Sequence, residues 1–270
     1  AILMENLLYG GDTTHLINLI NSKKFKDVKF IIITNTTNTA VKHLIRSCDK
    51  NKIKIIYYIS LNNFILNNFL LKLLFHIFRP FLFFISIFQM IIILKKINFD
   101  TLIGNCGGYG NFRTEVAGIL ASKILKKKKL NLLIHHNYSK PKIWVYIINI
   151  IDFILSKSIK NLIFISHATK KSIIENTKLG NCPKRNLFII YNGILLKKVK
   201  NKKVSYFNSN NQFLKIGMLA RIQEYKGQLD LIEGFSRLPK KMQSQYRVYL
   251  IGRGSEKDEK LLNFKISSYK

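Results

Sequence analysis

Arg221 and Lys226 are the side chains best suited to bind a charged ligand, and both lie in the segment KIGMLARIQEYKG, residues 215–227. The apolar run 214–219 predicts a buried strand, and the pattern QLDLIEGFSRL after Gly227 predicts an amphipathic helix. Two cations at the carboxyl end of a strand, before a helix amino terminus, suit a phosphate group. On spacing alone, solvated loop charges in a lysine-rich chain explain them equally well.

Two other groups could contribute to a ligand site. Gly10 and Gly11 stand between a short apolar run and a helical pattern, where a backbone can approach a ligand closely, although a glycine pair also forms simple tight turns. His135 and His136 end the predicted strand 130–134. Adjacent residues of a strand point to opposite faces, so alternation leaves open which histidine is functional. No further His, Cys or acid lies at metal-ligand spacing, so we expect no metal site.

The elements that must position these residues alternate between strand and helix. The predicted strands are β-branched runs separated by polar or helical segments, at residues 1–8, 28–34, 53–59, 99–105, 130–134, 161–165 and 186–191. This alternation predicts an α/β protein with a doubly wound parallel sheet. The basic, aperiodic stretch 197–212 predicts a linker. We therefore expect a first domain at residues 1–196 and the start of a second at 213–270.

Residues 64–94 form the most apolar stretch of the chain. Lys72, His76, Arg79 and Pro80 interrupt it, and a membrane-spanning helix needs about 20 uninterrupted apolar residues. We expect two helices with a break at Arg79 and Pro80, packed on the core. A helix lying in a membrane surface is the alternative interpretation.

The charge of the chain restricts its partners. Its 45 Lys and Arg against 14 Asp and Glu give a net charge of +31, which attracts polyanions. The excess is spread over the whole chain, as compositional drift also produces, and no nucleic-acid-binding module is present. We therefore expect attraction to an anionic membrane surface and no binding of nucleic acid.

The three cysteines, Cys48, Cys106 and Cys182, are widely separated and favour a reducing, cytoplasmic setting over a disulfide framework. No signal peptide is recognised. The first residue is Ala1 rather than Met, which favours a chain that begins within a longer reading frame.

Taken together, these motifs resemble those of glycosyltransferase family 4. Gly217, Arg221, Lys226 and Gly227 resemble its G-R-x-x-x-x-K-G signature, GGDTTHLINLI resembles its first loop, and His136 with Asn137 resembles its short active-site loop. GRGSEKDEKL resembles its G-[DE]-G segment, with Arg253 in place of the acid. Tyr191 and Leu195 also depart from the family pattern, at the corner that closes the first domain.

The resemblance implies a GT-B fold, in which two Rossmann-like domains face each other across a cleft. It implies retaining transfer of a sugar from a UDP- or GDP-linked donor, without metal or cofactor, to a surface glycan or lipid-linked acceptor at the inner face of a membrane. His136 would contact the donor sugar, and His135 is the alternative. The donor-binding residues would be Gly10, Gly11, Arg221, Lys226, Gly252 and Gly254.

The second domain is short for this family. In family members, the later part of this domain carries two glutamates eight residues apart. Glu256 and Glu259 are too close together and too early to be that pair. We therefore expect a fragment of a longer enzyme. The alternative is a truncated, inactive remnant that serves as a membrane-associated binding protein. A dehydrogenase is disfavoured, because no GxGxxG follows the first strand.

Overall fold

A computed structural model describes residues 1–5, 10–61, 69–110, 112–127, 129–140, 143–183, 186–193 and 213–269, with side chains from residue 74 onward in the helix that begins at Phe69. The chain divides into two compact units, Ala1–Leu196 and Lys197–Lys270. The linker expected at 197–212 lies outside the described residues.

The first unit is built on a seven-stranded parallel sheet in the order β3-β2-β1-β4-β5-β6-β7. The strands are β1 (Ile2–Met4), β2 (Phe30–Asn35), β3 (Ile53–Tyr58), β4 (Leu102–Cys106), β5 (Leu130–Ile134), β6 (Asn161–Phe164) and β7 (Leu187–Ile189). The helices are α1 (Gly11–Ile20), α2 (Ala40–Ser47), α3 (Phe69–Lys95), α4 (Thr114–Ile124), α5 (Val145–Ser156) and α6 (His167–Asn176). The predicted α/β class is confirmed.

Both faces of the sheet are covered. Ile2 and Met4 of β1 pack with apolar residues of α1 and α2, whereas Leu3 packs into a larger cluster with α3, α4 and α5. Successive strand residues thus enter opposite layers, which is why these strands are continuous apolar runs. In the larger cluster, Tyr109 Oη donates a hydrogen bond of 2.6 Å to Oδ1 of the buried Asp152.

The prediction of two helices with a break at Arg79 and Pro80 was wrong, because α3 continues through Pro80 as one 27-residue helix. Proline has no N–H to give to the carbonyl four residues earlier, which is that of His76. Trp144, directly before α5, donates its indole Nε1–H to this carbonyl at 3.0 Å. A donor from another element therefore replaces the missing helical hydrogen bond.

The second unit contains two parallel strands, β8 (Leu214–Leu219) and β9 (Tyr246–Ile251), with helices α7 (Gln228–Ser236), α8 (Lys240–Gln243) and α9 (Glu256–Ser268). One face of the strand pair is open to solvent within the described residues. It exposes Leu219 (82% accessible), Tyr249 and Ile251.

Candidate functional site

The first unit has its topological switch point between β1 and β4. The helix after β1 packs on one face of the sheet and the helix after β4 on the other, which leaves a crevice at the carboxyl ends of these two strands. Ligands of doubly wound sheets bind at such a crevice. Glu5, Gly10, Gly11 and the histidine pair all follow strands that end at this edge.

His135 is buried at this edge, with 3% of its surface exposed. Its Nε2 lies 2.8 Å from Asn105 Oδ1, within hydrogen-bonding distance. Nδ1 has no hydrogen-bond partner among the described residues. Burial, opposed by Asp12 and reinforced by His15 and His136, lowers the pKa of His135 to about 4. The ring is therefore neutral at pH 7.

His136 has different surroundings, because its side chain is exposed. It lies beside the backbone of Gly108: a Cβ added to that glycine would be 3.9 Å from the His136 Cβ and 3.4 Å from Arg113 Nη2. The exposed histidine therefore lies in the same neighbourhood as a guanidinium group, and it is accessible to a ligand in the crevice.

The helix that follows the glycine loop contacts His135. Gly10 is the N-cap of α1, and its carbonyl accepts the first helical bond, from Thr14 N at 3.0 Å. His15, in the same helix, packs edge-on against His135 with ring centroids 5.5 Å apart. The fold thus places His135 beside α1, the helix that begins at Gly10 and Gly11.

A buried carboxylate pair at the switch point was missed by the sequence reasoning. Glu5 N–H donates to Glu115 Oε1 at 2.8 Å, and Glu5 Oε2 accepts from Thr114 N–H at 3.1 Å. Burial and the neighbouring Glu5 raise the pKa of Glu115 to about 7, against the effect of Arg113. The available signal was an acid directly after the first strand and another in the first turn of the helix after β4.

In the second unit, Arg221 and Lys226 lie on the loop that joins β8 to α7, and both are exposed. Gln228, itself 3% exposed, donates from Nε2 to the Arg221 carbonyl at 2.8 Å and so fixes the loop backbone. Lys226 Nζ lies 4.9 Å from the centroid of the Tyr225 ring. Gly227, with φ of 83°, turns the chain into the amino terminus of α7. The loop presents two cations beside a helix start.

Gly252 and Gly254 allow the loop after β9 to contact the loop after β8. A Cβ on Gly252 would lie 1.9 Å from the Ala220 carbonyl oxygen, and one on Gly254 would lie 2.5 Å from that of Ile222. Gly217, in contrast, has no atom within 4 Å of an added Cβ. The N–H of Gly254 already donates to Glu259 Oε1 at 2.9 Å, so this amide is engaged.

The structure therefore divides the expected site residues into two groups. Gly10, Gly11 and the two histidines line one sheet edge of the first unit. The other four, in the second unit, are Arg221, Lys226, Gly252 and Gly254. Among the described residues, no group of three or more His, Cys, Asp or Glu side chains is arranged to hold a metal ion.

The chain is similar in amino-acid sequence to a known protein. An uncharacterized glycosyltransferase of Methanocaldococcus jannaschii is 25% identical over 189 residues, which is 66% of this chain and 46% of that protein. The chain thus spans about half the length of the curated relative that it matches. No family model matches the sequence.

Solved structures share the fold. Anabaena HepE in complex with UDP-glucose has a TM-score of 0.63 at 18% identity, and the match covers 99% of this chain and 65% of that one. MnaA of S. aureus with UDP has a TM-score of 0.53 at 11% identity, over 99% and 66% of the two chains. The architecture is that of a glycosyltransferase-like GT-B fold.

Proposed function

We propose that this chain belongs to a glycosyltransferase that moves a sugar, with retention of configuration, from a nucleotide-linked donor to a surface glycan or lipid-linked acceptor. The Methanocaldococcus jannaschii relative is described as a glycosyltransferase, and HepE was solved with UDP-glucose. The HepE comparison supports a UDP-linked donor over a GDP-linked one. The proposed location is the cytoplasmic face of a membrane.

The proposal rests mainly on the loop from Arg221 to Gly227, which presents two cations beside the amino terminus of α7. Departure of a nucleoside diphosphate develops negative charge on the leaving phosphate, and preorganised cations and helix amino termini stabilise such charge. Arg221 and Lys226 are exposed, and the loop backbone is fixed by Gln228. In the proposed reaction these two side chains bind the diphosphate, with Gly252 and Gly254 beside them, and no metal takes part.

The proposal assigns His136 to the donor sugar, because it is the exposed member of the histidine pair. His135 is neutral at pH 7, and its Nδ1 has no hydrogen-bond partner among the described residues. It is the alternative, since it lies beside α1 and the glycine loop.

Calorimetric titration of the purified full-length protein with UDP, UDP-glucose and GDP-mannose in 150 mM salt tests the donor site. We expect Arg221→Ala and Lys226→Ala each to weaken UDP-glucose binding by about ten- to a hundredfold, the value of one charge-assisted hydrogen bond. Arg237→Ala and Lys241→Ala are matched controls, because both residues are exposed cations of the same unit, and they should change the affinity by less than about twofold.

Unchanged affinity in both loop variants, or no binding of any nucleotide sugar by the unmodified full-length protein, would contradict the proposal. Equal losses in the control variants would mean that the net positive charge, and not a site, attracts the nucleotide.

Release of UDP from UDP-glucose by the full-length protein tests the histidines separately. His136→Ala should lower the rate of release more than it lowers donor affinity, because the contact is made near the reacting bond. The same pattern in His135→Ala, with His136→Ala unaffected, would transfer the role to His135.

A further inference from the structure

Between Phe81 and Leu94, helix α3 is apolar except for Ser86 and Gln89, although only one side of it is buried in the protein. Phe83, Ser86, Met90 and Leu94 form the buried stripe, and the three apolar members of that stripe belong to the core cluster that includes α4. The opposite side exposes Phe78, Phe81, Phe84, Phe88 and Ile92, three of them phenylalanines more than 60% accessible. An amphipathic surface helix of a water-soluble domain carries polar residues on that side instead.

Helix α5 extends this apolar surface. The Trp144 indole bonds to the His76 carbonyl of α3, and Phe83 of α3 lines the same small cavity as Ile148 of α5. The outer side of α5 exposes Tyr146, Ile150 and Phe153. We call these outer sides of the two neighbouring helices the α3–α5 face. The two helices meet near His76 and Phe83, and exposed apolar helix surfaces of this kind mark an interaction site.

The charges around this face are positive. Helix α3 contains no acid from Phe69 to Lys95, and the single acid of α5, Asp152, is 1% exposed. Lys95 and Lys96 are exposed at the end of α3. The Nζ of Lys157 lies 4.0 Å from the centre of the exposed Phe153 ring, so an ammonium group lies directly over an apolar side chain. This combination is typical of helices that lie in the headgroup region of anionic bilayers.

We propose that the α3–α5 face docks the protein onto an anionic lipid bilayer, with α3 lying in the plane of the membrane surface. The segment Leu74–Lys95 is long and apolar enough to cross a bilayer, with a mean hydropathy of 2.2 and 22% of it buried in the protein. Its inner stripe, however, is committed to α4, and α4 packs on β1 and β4. A helix fixed in this way along the sheet presents only its outer side to lipid.

Charge favours a bilayer over a second copy of this chain as the occupant. Each chain carries a net charge of +31, so bringing two α3–α5 faces together opposes like charges, whereas an anionic membrane attracts them. The docking does not rest on sugar transfer. It adds to the proposed function only the means by which a lipid-linked acceptor is reached.

Flotation of the full chain with vesicles tests the docking. The chain should float with vesicles of 30% phosphatidylglycerol in phosphatidylcholine, and more weakly in 0.5 M salt or with phosphatidylcholine alone. The variant Phe81→Ser, Phe84→Ser and Phe88→Ser should lower the partition coefficient at least tenfold, with an unchanged circular dichroism spectrum. Phe264→Ser is the matched control, since Phe264 is 69% exposed in the second unit, and it should partition normally.

The single tryptophan of the chain reports the geometry, because Trp144 lies where α5 begins beside α3. Lipids brominated near the headgroup should quench its fluorescence more than lipids brominated near the chain ends. Normal flotation of the triple variant, equal loss in Phe264→Ser, or stronger quenching by the deep bromines would overturn the proposal. The proposal would also be overturned if the wild-type protein were a dimer and the triple variant were a monomer that still bound vesicles.

Discussion

Replacing Trp144 by phenylalanine tests how α3 passes through Pro80. The substitution removes the indole N–H that satisfies the His76 carbonyl, at a hydrogen-bond length of 3.0 Å. A hydrogen bond of this kind contributes about 0.5–1.5 kcal/mol net. The smaller ring also loses packing, so the single variant mixes two effects. A double-mutant cycle with Pro80→Ala separates them, because an alanine at position 80 supplies its own N–H to that carbonyl.

We expect Trp144→Phe to cost about 1 kcal/mol more in the native background than in the Pro80→Ala background. For a unit of about 200 residues this corresponds to a difference of about 2–4 °C in melting temperature. Urea unfolding followed by far-ultraviolet circular dichroism measures it without tryptophan fluorescence. Tyr146→Phe is the control, because Tyr146 is 86% exposed, and it should be neutral. Equal costs of Trp144→Phe in the two backgrounds would refute the compensation.

Three further substitutions test other contacts. Because the pKa of Glu115 is raised, the contribution of this residue to the free energy of unfolding is full below its ordinary pKa near 4.5 and is lost as pH rises through about 7. Glu115→Gln should reduce the loss of stability between pH 5 and pH 8 by roughly 1–3 kcal/mol, measured by urea unfolding at both pH values. Gly252→Ala should destabilise the second unit by about 1–3 kcal/mol and lower its hydrogen-exchange protection, whereas Gly217→Ala, which meets no atom, should not. Tyr109→Phe should lower thermal stability by about 1–3 kcal/mol, because it deprives the buried carboxylate of Asp152 of its hydroxyl partner.

Local patterns in the sequence predicted the alternation of strands and helices, because the inner strands of the seven-stranded sheet are apolar runs buried on both faces. The strand expected at 214–219 forms, but the expectation that it is buried was wrong, since one face of it is open to solvent within the described residues. The cap of α6 is equally local, because the Ser166 hydroxyl accepts from Thr169 N at 3.1 Å. These features depend on a few consecutive residues. The placement of Arg221 and Lys226 on a loop after a strand was predicted for the same reason.

Contacts between distant residues were not predictable in this way. The continuity of α3 depends on Trp144, 68 residues beyond His76 in the sequence, and the Glu5–Glu115 hydrogen bond joins residues 110 apart. His135 and His136 have different surroundings because α1 packs on His135. The alternation of strand residues does not predict which of the two histidines this helix contacts. The roles of the site residues themselves stay predictions.

The open face of the β8–β9 pair has a consequence for handling the protein in solution. Leu219, Tyr249 and Ile251 form an uncovered apolar sheet surface, and neither strand has a further neighbour within the described residues. Exposed strands of this kind associate edge to edge. Repulsion between molecules of charge +31 opposes the association only at low ionic strength. We therefore expect solubility to fall as salt is added, the reverse of ordinary salting-in.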